Sequence, residues 1–269
     1  MTLAPGATPA MSPGTPSGTP SGTPSGTPLD ATALDEGWDR AFPECFAKFG
    51  RTLLPPQPGA LPLPDLLRPA GLTRALARYA AAFPGGEGRA VLSLWSQYDL
   101  LAPVPAATAA ALVARLDPPV ALEGMGLVPS ESGCPAALCL PHPGRPASAS
   151  CPAARLTPLL RDHLHPLARA LAAAGLPPRV PWGNAGAMLA WTLGVVAAPA
   201  DRVAAVWRAL DGPCWTDGGD NPFRPVLRRG ACGACRRVCC LRHRLPGVAG
   251  CPDCPRPRGV PCRAGSGAA

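Results

Sequence analysis

The chain has 269 residues, 47% of them hydrophobic and 16% charged, with 39 prolines, 30 glycines and 12 cysteines, a length that holds one large domain or two small ones. No run of about 18 or more apolar residues is present, and no basic start is followed by an apolar stretch, so neither a membrane-crossing helix nor a secretory leader is expected. The net charge of +8 is uneven: from Arg224 onward ten arginines stand against the single acid Asp253, so this segment is +9 and everything before it sums to −1.

Residues 1–30 carry a Ser-Gly-Thr-Pro unit repeated from Ser17. A tract with so few apolar side chains cannot offset the entropy of ordering its backbone, and a disordered tail is expected there. Beyond it, Leu72, Leu76, Tyr79 and Phe83 recur at helical spacing and draw one apolar stripe, which ends at Pro84-Gly85-Gly86. Arg89 to Leu101 reads as a second helix, with Val91, Leu94, Trp95 and Tyr98 on one side, and Pro105 to Leu116 as a third. After Pro118-Pro119, the stretches Val120 to Val128 and Ala136 to Leu140 flank Glu131-Ser132-Gly133 and predict a hairpin. Thr157 followed by Pro158 predicts an N-cap and first turn, with Leu160, Leu164, Leu167 and Leu171 as the buried face, a kink at Pro166, and an end at Gly175 and Pro177-Pro178. Asn184 to Val196 and Asp201 to Leu210 predict two further helices. The expected fold class is α+β: a mostly α-helical body with a small β-hairpin element and an irregular C-terminal cysteine-rich module. The expected divisions are a tail over 1–30, a helical domain over 31–222, a basic cysteine-rich module over 223–262 and a flexible end over 263–269.

The cysteine-rich module carries the strongest chemical signal, since seven of the twelve cysteines lie between Cys232 and Cys262. With no export route visible, the expected compartment is the cytosol, where thiols stay reduced and clustered cysteines point to metal binding or catalysis rather than disulfides. Cys239 and Cys240 stand side by side, and ten residues later Cys251 and Cys254 form a Cys-x-x-Cys. An iron–sulfur centre of the [2Fe-2S] kind takes four thiolates, two per iron, because soft sulfur suits iron–sulfide and thiolate charge balances the ferric ions. A Cys-x-x-Cys supplies two sulfurs from one turn. Adjacent cysteines share a centre only in irregular backbone, because a strand would aim them at opposite faces. Gly247 and Gly250 give the connecting loop freedom and Pro246, Pro252 and Pro255 stiffen it.

These residues, with Leu241, Arg244 and Leu245-Pro246-Gly247 between the pairs, resemble the C-terminal signature of bacterial ferric siderophore reductases of the FhuF type. SLWSQYDL (Ser93 to Leu100) and PWGNAGAML (Pro181 to Leu189) resemble segments of the family's helical domain, in the right order. The resemblance implies Cys239, Cys240, Cys251 and Cys254 as ligands of a [2Fe-2S] cluster, with no catalytic residue beyond it. It implies a ferric siderophore reductase that transfers one electron to siderophore-bound Fe(III) and releases Fe(II) in the cytoplasm. The expected partners are a ferric siderophore and an electron donor the sequence does not name, with no nucleic acid. The chain is expected to act as a monomer, cytoplasmic or peripheral at the inner face of the plasma membrane in transient association with the importer. Two ferric ions, two sulfides and four thiolates sum to −2, so Arg236, Arg237, Arg242 and Arg244 are candidates to stabilise the reduced form, each tenfold bias corresponding to about 59 mV. The chain departs from the family pattern at His243, where a tyrosine is expected, and in an additional pair, Cys232 and Cys235.

That additional pair opens an alternative. Cys232, Cys235, Cys251 and Cys254 have the spacing of a four-cysteine zinc ribbon, which with these arginines would bind nucleic acid. A third reading, a scaffold whose tail recruits partners, rests on the Ser-Gly-Thr-Pro tract alone. Cys45, Cys134, Cys139, Cys151 and Cys214 are expected to be small buried or loop residues. His163 and His165, two apart, cannot share a helical face and are not expected to form a joint metal site. Trp95, Trp182 and Trp191 are expected in the core, and Asn184 as a helix N-cap.

Overall fold

The computed structural model describes residues 53–255 apart from 102, 132, 143, 231, 232, 252 and 253. The expected tail over 1–30, Cys45, Cys232 and the expected flexible end over 263–269 lie outside the described residues. The chain enters through β1 (Leu53–Leu54) and β2 (Leu61–Pro62), then winds α1 (Leu63–Leu66), α2 (Pro69–Ala81), α3 (Gly88–Leu101) and α4 (Pro103–Ala109), which runs on into a π turn over Ala110–Ala114. Four strands follow: β3 (Leu116–Asp117), β4 (Gly126–Pro129), β5 (Pro135–Cys139) and β6 (Arg145–Pro146). A π-helical segment (Leu159–Leu164) leads into α5 (His165–Ala173), then come α6 (Arg179–Val195), α7 (Ala200–Asp211), the hairpin β7 (Leu227–Gly230) and β8 (Gly233–Arg236), and a 3-10 turn over Arg242–Arg244.

The expected hairpin is antiparallel β4–β5, with Leu127 opposite Leu138, and it forms the middle of a four-stranded sheet of order β1-β5-β4-β2. Its first strand starts at Gly126 rather than Val120, because Leu122–Gly124 winds a 3-10 turn. The turn needs glycine at 133: its φ is +79°, and a Cβ there would meet the Arg78 Cβ at 2.8 Å. That same residue's carbonyl accepts the indole N–H of Trp95 at 3.1 Å, so the turn is pinned to α3.

Three expectations from local sequence give way to tertiary structure. Thr157 is already helical (φ −59°, ψ −43°) and does not cap; its hydroxyl accepts the Trp215 Nε1–H at 3.1 Å instead. Pro166 does not kink an α-helix, because the turns before it are π-helical and α5 begins at His165, leaving the proline in a first turn that needs no N–H from it. Asn184 is not an N-cap, because α6 starts at Arg179 and carries Asn184 in its buried interior.

Helix α3 is buried on both sides rather than along one stripe: Ala90, Val91, Leu92, Ser93, Leu94, Trp95 and Ser96 are all buried. Of the three tryptophans expected in the core, Trp95 is there, Trp182 is half-buried with its ring edge-on to Phe223, and Trp191 lies 42% exposed on α6. The C-terminal segment is part of the same packing, with Leu245 in the core and Val238, Leu241 and Val248 against it. Glycines of α6 permit this approach: a Cβ on Gly186 would strike Leu227 Cδ1 at 2.8 Å, and Gly183 sits against Val238. The body therefore presents α3 and α6 directly to the cysteines.

Candidate metal centre

Strand β8 delivers the chain to Cys239 by way of Arg237, whose backbone N–H donates to the Val226 carbonyl at 2.7 Å. Cys239 and Cys240 then part company because Leu241 turns the chain through the left-handed region (φ 64°, ψ −4°). That conformation costs a non-glycine residue roughly 1–2 kcal/mol and is held by its surroundings: the Leu241 side chain packs on the core and its N–H donates to the Cys239 sulfur at 3.4 Å. The 3-10 turn over Arg242–Arg244 and the positive φ of Gly247 (+69°) bring the strand of chain back so that Cys251 and Cys254 meet the tandem pair.

The four sulfurs fall into two pairs, each drawing one thiol from each motif. Cys240 and Cys251 form an inner pair, 2% and 6% exposed, with Sγ atoms 3.4 Å apart. Cys239 and Cys254 form an outer, half-buried pair in hydrogen-bond contact. Burial pushes the Cys239 thiol up, the N–H of Leu241 opposes this, and the neighbouring thiols of Cys254 and Cys240 push further in the same direction as burial. His243, the residue standing in place of the expected tyrosine, lies with Nδ1 3.5 Å from the Cys239 sulfur.

A buried polar chain fastens the inner pair to the body. The Ser93 hydroxyl donates to the Cys240 carbonyl at 2.7 Å, and the Asn184 amide nitrogen donates to the Ser93 hydroxyl at 3.2 Å. Arg236 closes it by donating to the Asn184 Oδ1 at 2.6 Å. Ser93 and Asn184 are 0% and 3% exposed, so each of these groups is satisfied where water does not reach. Sequence reasoning missed Ser93 and misassigned Asn184. The available signal was a hydroxyl and an amide inside otherwise apolar helices, within the two segments that resemble the family's helical domain.

The four arginines near the cysteines are individually placed. Arg236 is held by Asn184, Arg237 by the Leu227 carbonyl at 2.9 Å, and Arg244 by Glu87 at 2.6 Å. The Arg242 Nε is buried without a hydrogen-bond partner among the described residues. Cys235 lies on β8, half-buried, opposite Arg228. The dispersed cysteines sit apart: Cys139 is buried, Cys134 half-buried with its thiol pushed by burial up to about 11, and Cys151 and Cys214 exposed. His163 is wholly buried, whereas His165 lies 3.0 Å from Arg161 and edge-on to Trp182. A separate cavity of about 360 Å³, between α2 and the sheet, is walled by Leu61, Leu66, Arg74, Arg78 and Gly133 and touches none of the four cysteines.

Comparison with known proteins matches residues 93–234 to the family described as "Ferric iron reductase FhuF-like transporter", and residues 236–256 to the "FhuF 2Fe-2S C-terminal domain". The first match covers more than half of the chain. The chain belongs to the FhuF family. A curated relative, "Ferric siderophore reductase" of Escherichia coli (strain K12), is 30% identical over 182 residues, which is 62% of this chain and 66% of that protein, just under two thirds of its length. The Ser93–Asn184–Arg236 chain ties together the two regions matched by the FhuF models, since Ser93 and Asn184 lie in the first and Arg236 and Cys240 in the second. The C-terminal domain thus implies a [2Fe-2S] cluster, and the donors fit it. Two thiols bound to one tetrahedral ion at about 2.3 Å each stand about 3.8 Å apart, close to the inner-pair separation. The soft-sulfur donor set suits iron–sulfide.

Proposed function

We propose that this protein is a one-electron ferric siderophore reductase whose cluster is held by Cys239, Cys240, Cys251 and Cys254. The observation that carries the reading is the meeting of the tandem cysteines with the Cys-x-x-Cys in two thiol pairs, within a segment that matches the family's 2Fe-2S domain. The curated relative's printed name supplies the substrate class. When bound, the [2Fe-2S] group supplies one electron per cycle. The chain's own residues do the rest. Cys240 and Cys251 provide buried anchoring thiolates, Ser93 fixes the Cys240 carbonyl, and the half-buried Cys239 and Cys254 bring the centre to the surface beside His243. Arg236 and Arg244, both pinned, set positive charge near the added electron, which favours the reduced state. Siderophores hold Fe(III) with hard oxygen donors; one added electron gives a larger, softer Fe(II) that those donors hold far less tightly, so reduction releases the iron.

In this reading the reaction runs in the cytoplasm, carried out by a monomer near the inner face of the membrane where the importer delivers its cargo. No helix among the described residues is long and apolar enough to cross a membrane. The zinc-ribbon reading would need Cys251 and Cys254 to pair with Cys232 and Cys235, whereas Cys251 and Cys254 face Cys240 and Cys239. Single-turnover assay decides: protein reduced with one electron, mixed with a ferric hydroxamate chelate and an Fe(II)-specific chromophore, is expected to yield one trapped Fe(II) per reduced cluster. Serine at both 239 and 240 is expected to abolish it. A fully reduced, cluster-loaded protein that yields no Fe(II) overturns the activity.

A further inference from the structure

The arginines of the C-terminal segment do not spread evenly over the surface. Arg224, Arg228, Arg229 and Arg237 line one hollow of about 200 Å³ between α7 and the β7–β8 hairpin, together with Trp207 and Asp211. Four guanidinium groups against one carboxylate leave three net positive charges there. Arg229 is engaged, donating to Asp211 at 3.2 Å and lying 4.5 Å from the centre of the Trp207 ring. Arg237 is fixed by the Leu227 carbonyl. Arg224 and Arg228 are exposed and have no carboxylate partner among the described residues. Like charges gathered on a concave surface raise the local positive potential and draw anions to it.

We propose that this hollow is the docking face for the protein that recharges the centre, an acidic one-electron carrier whose surface carboxylates seat against Arg224 and Arg228. The proposal rests on the reductase reading above, because only a centre that gives up an electron needs refilling. Each cycle the carrier loses one electron and the oxidised centre gains it. Two observations and one charge requirement support this occupant. The hollow is smaller than the roughly 300–1,000 Å³ of pockets that engulf a small molecule, so it reads one or two anionic groups on a larger body rather than a whole chelate. It is close to the centre: Arg237 is two residues from Cys239, which puts their Cα atoms within about 7 Å. And a centre of charge −2 repels an acidic carrier, so productive approach needs compensating positive charge on its flank.

The test uses the full-length protein and the double variant Arg224→Glu/Arg228→Glu, with an acidic plant-type [2Fe-2S] ferredoxin as the probe. Visible absorption with iron and sulfide content is read first; if neither protein carries the centre, the reductase reading fails and the docking face fails with it. With the centre present, stopped-flow reduction by reduced ferredoxin at low ionic strength is expected to be at least about 10-fold slower in the variant, the gap closing as salt screens the charges. Reduction by the methyl viologen radical, a small cation, and reoxidation by a ferric hydroxamate are expected to proceed at the unmodified rate or faster. An unchanged ferredoxin rate overturns the docking face alone. Slower reoxidation by the chelate with unchanged ferredoxin reduction reassigns the hollow to the substrate. Binding of a short oligonucleotide that the variant loses, with ferredoxin reduction unaffected, reassigns it to nucleic acid.

Discussion

The inner and outer thiol pairs of this centre have the same chemistry and different surroundings. Cys240 and Cys251 are sealed in, and the backbone of Cys240 is bonded to Ser93 on α3, which in turn bonds Asn184 on α6. Cys239 and Cys254 are half-buried, and the Cys239 sulfur lies 3.5 Å from Nδ1 of the exposed His243 on the 3-10 turn. The difference divides the labour in the proposed reductase: the inner pair fastens the site into the fold, and the outer pair would give a bound cluster an edge through which an electron can pass. Burial on one side and access on the other is what a surface electron-transfer centre requires.

Ligand replacement is the strongest way to break that division. If the proposed ligand set holds, Cys240→Ser and Cys251→Ser are expected to lower iron and sulfide to roughly a tenth of the wild-type content or less, because the inner pair would couple metal binding to packing. Cys239→Ser and Cys254→Ser are expected to retain a larger, more chelator-labile fraction, measured by metal and sulfide analysis before and after challenge. Equal loss from all four would erase the distinction.

Acid separates the body from the centre. Burial drives the imidazole of His163 down to about 4. The unfolded chain takes up that proton from about pH 6.5 downward while the folded chain does not, so folding stability present above that pH is lost as pH falls from about 6.5 to about 4, by about 3 kcal/mol from this group. His163→Leu is expected to flatten that slope in denaturant titrations at several pH values. If iron still leaves the variant at the wild-type pH, the loss belongs to the thiolates and not to the body.

Ser93→Ala leaves the Cys240 carbonyl and the Asn184 amide short of a partner in a buried place, costing about 1–3 kcal/mol. The melting temperature is expected to fall by roughly 2–10 °C and the inner pair to yield iron to chelator faster. His243→Phe is the smallest change. Removing the ring nitrogen that lies 3.5 Å from the Cys239 sulfur is expected to shift the reduction potential by no more than about 60 mV, a tenfold bias, with iron content unchanged.

Cysteine spacing made the four thiols legible in sequence, since a tandem pair and a Cys-x-x-Cys lie within 16 residues and their geometry is local. Helices with a clear apolar stripe, such as α2, were legible for the same reason. What escaped was long-range. Ser93 meets Cys240 across 147 positions and Asn184 meets Ser93 across 91, separations at which spacing in one sequence carries no information. The β7–β8 hairpin was hidden because its arginines and glycines lack the alternation of a half-buried strand, and it forms through its docking on α6. Thr157 followed the local rule for a cap and was overruled by the tertiary bond from Trp215.

Metal and acid-labile sulfide analysis of the purified chain tests the account most directly. About two iron and two sulfide per chain are expected, both lost when Cys240 is replaced and retained when Cys232 and Cys235 are replaced. One zinc per chain with no sulfide, dependent on Cys232 and Cys235 and indifferent to Cys239 and Cys240, would contradict it.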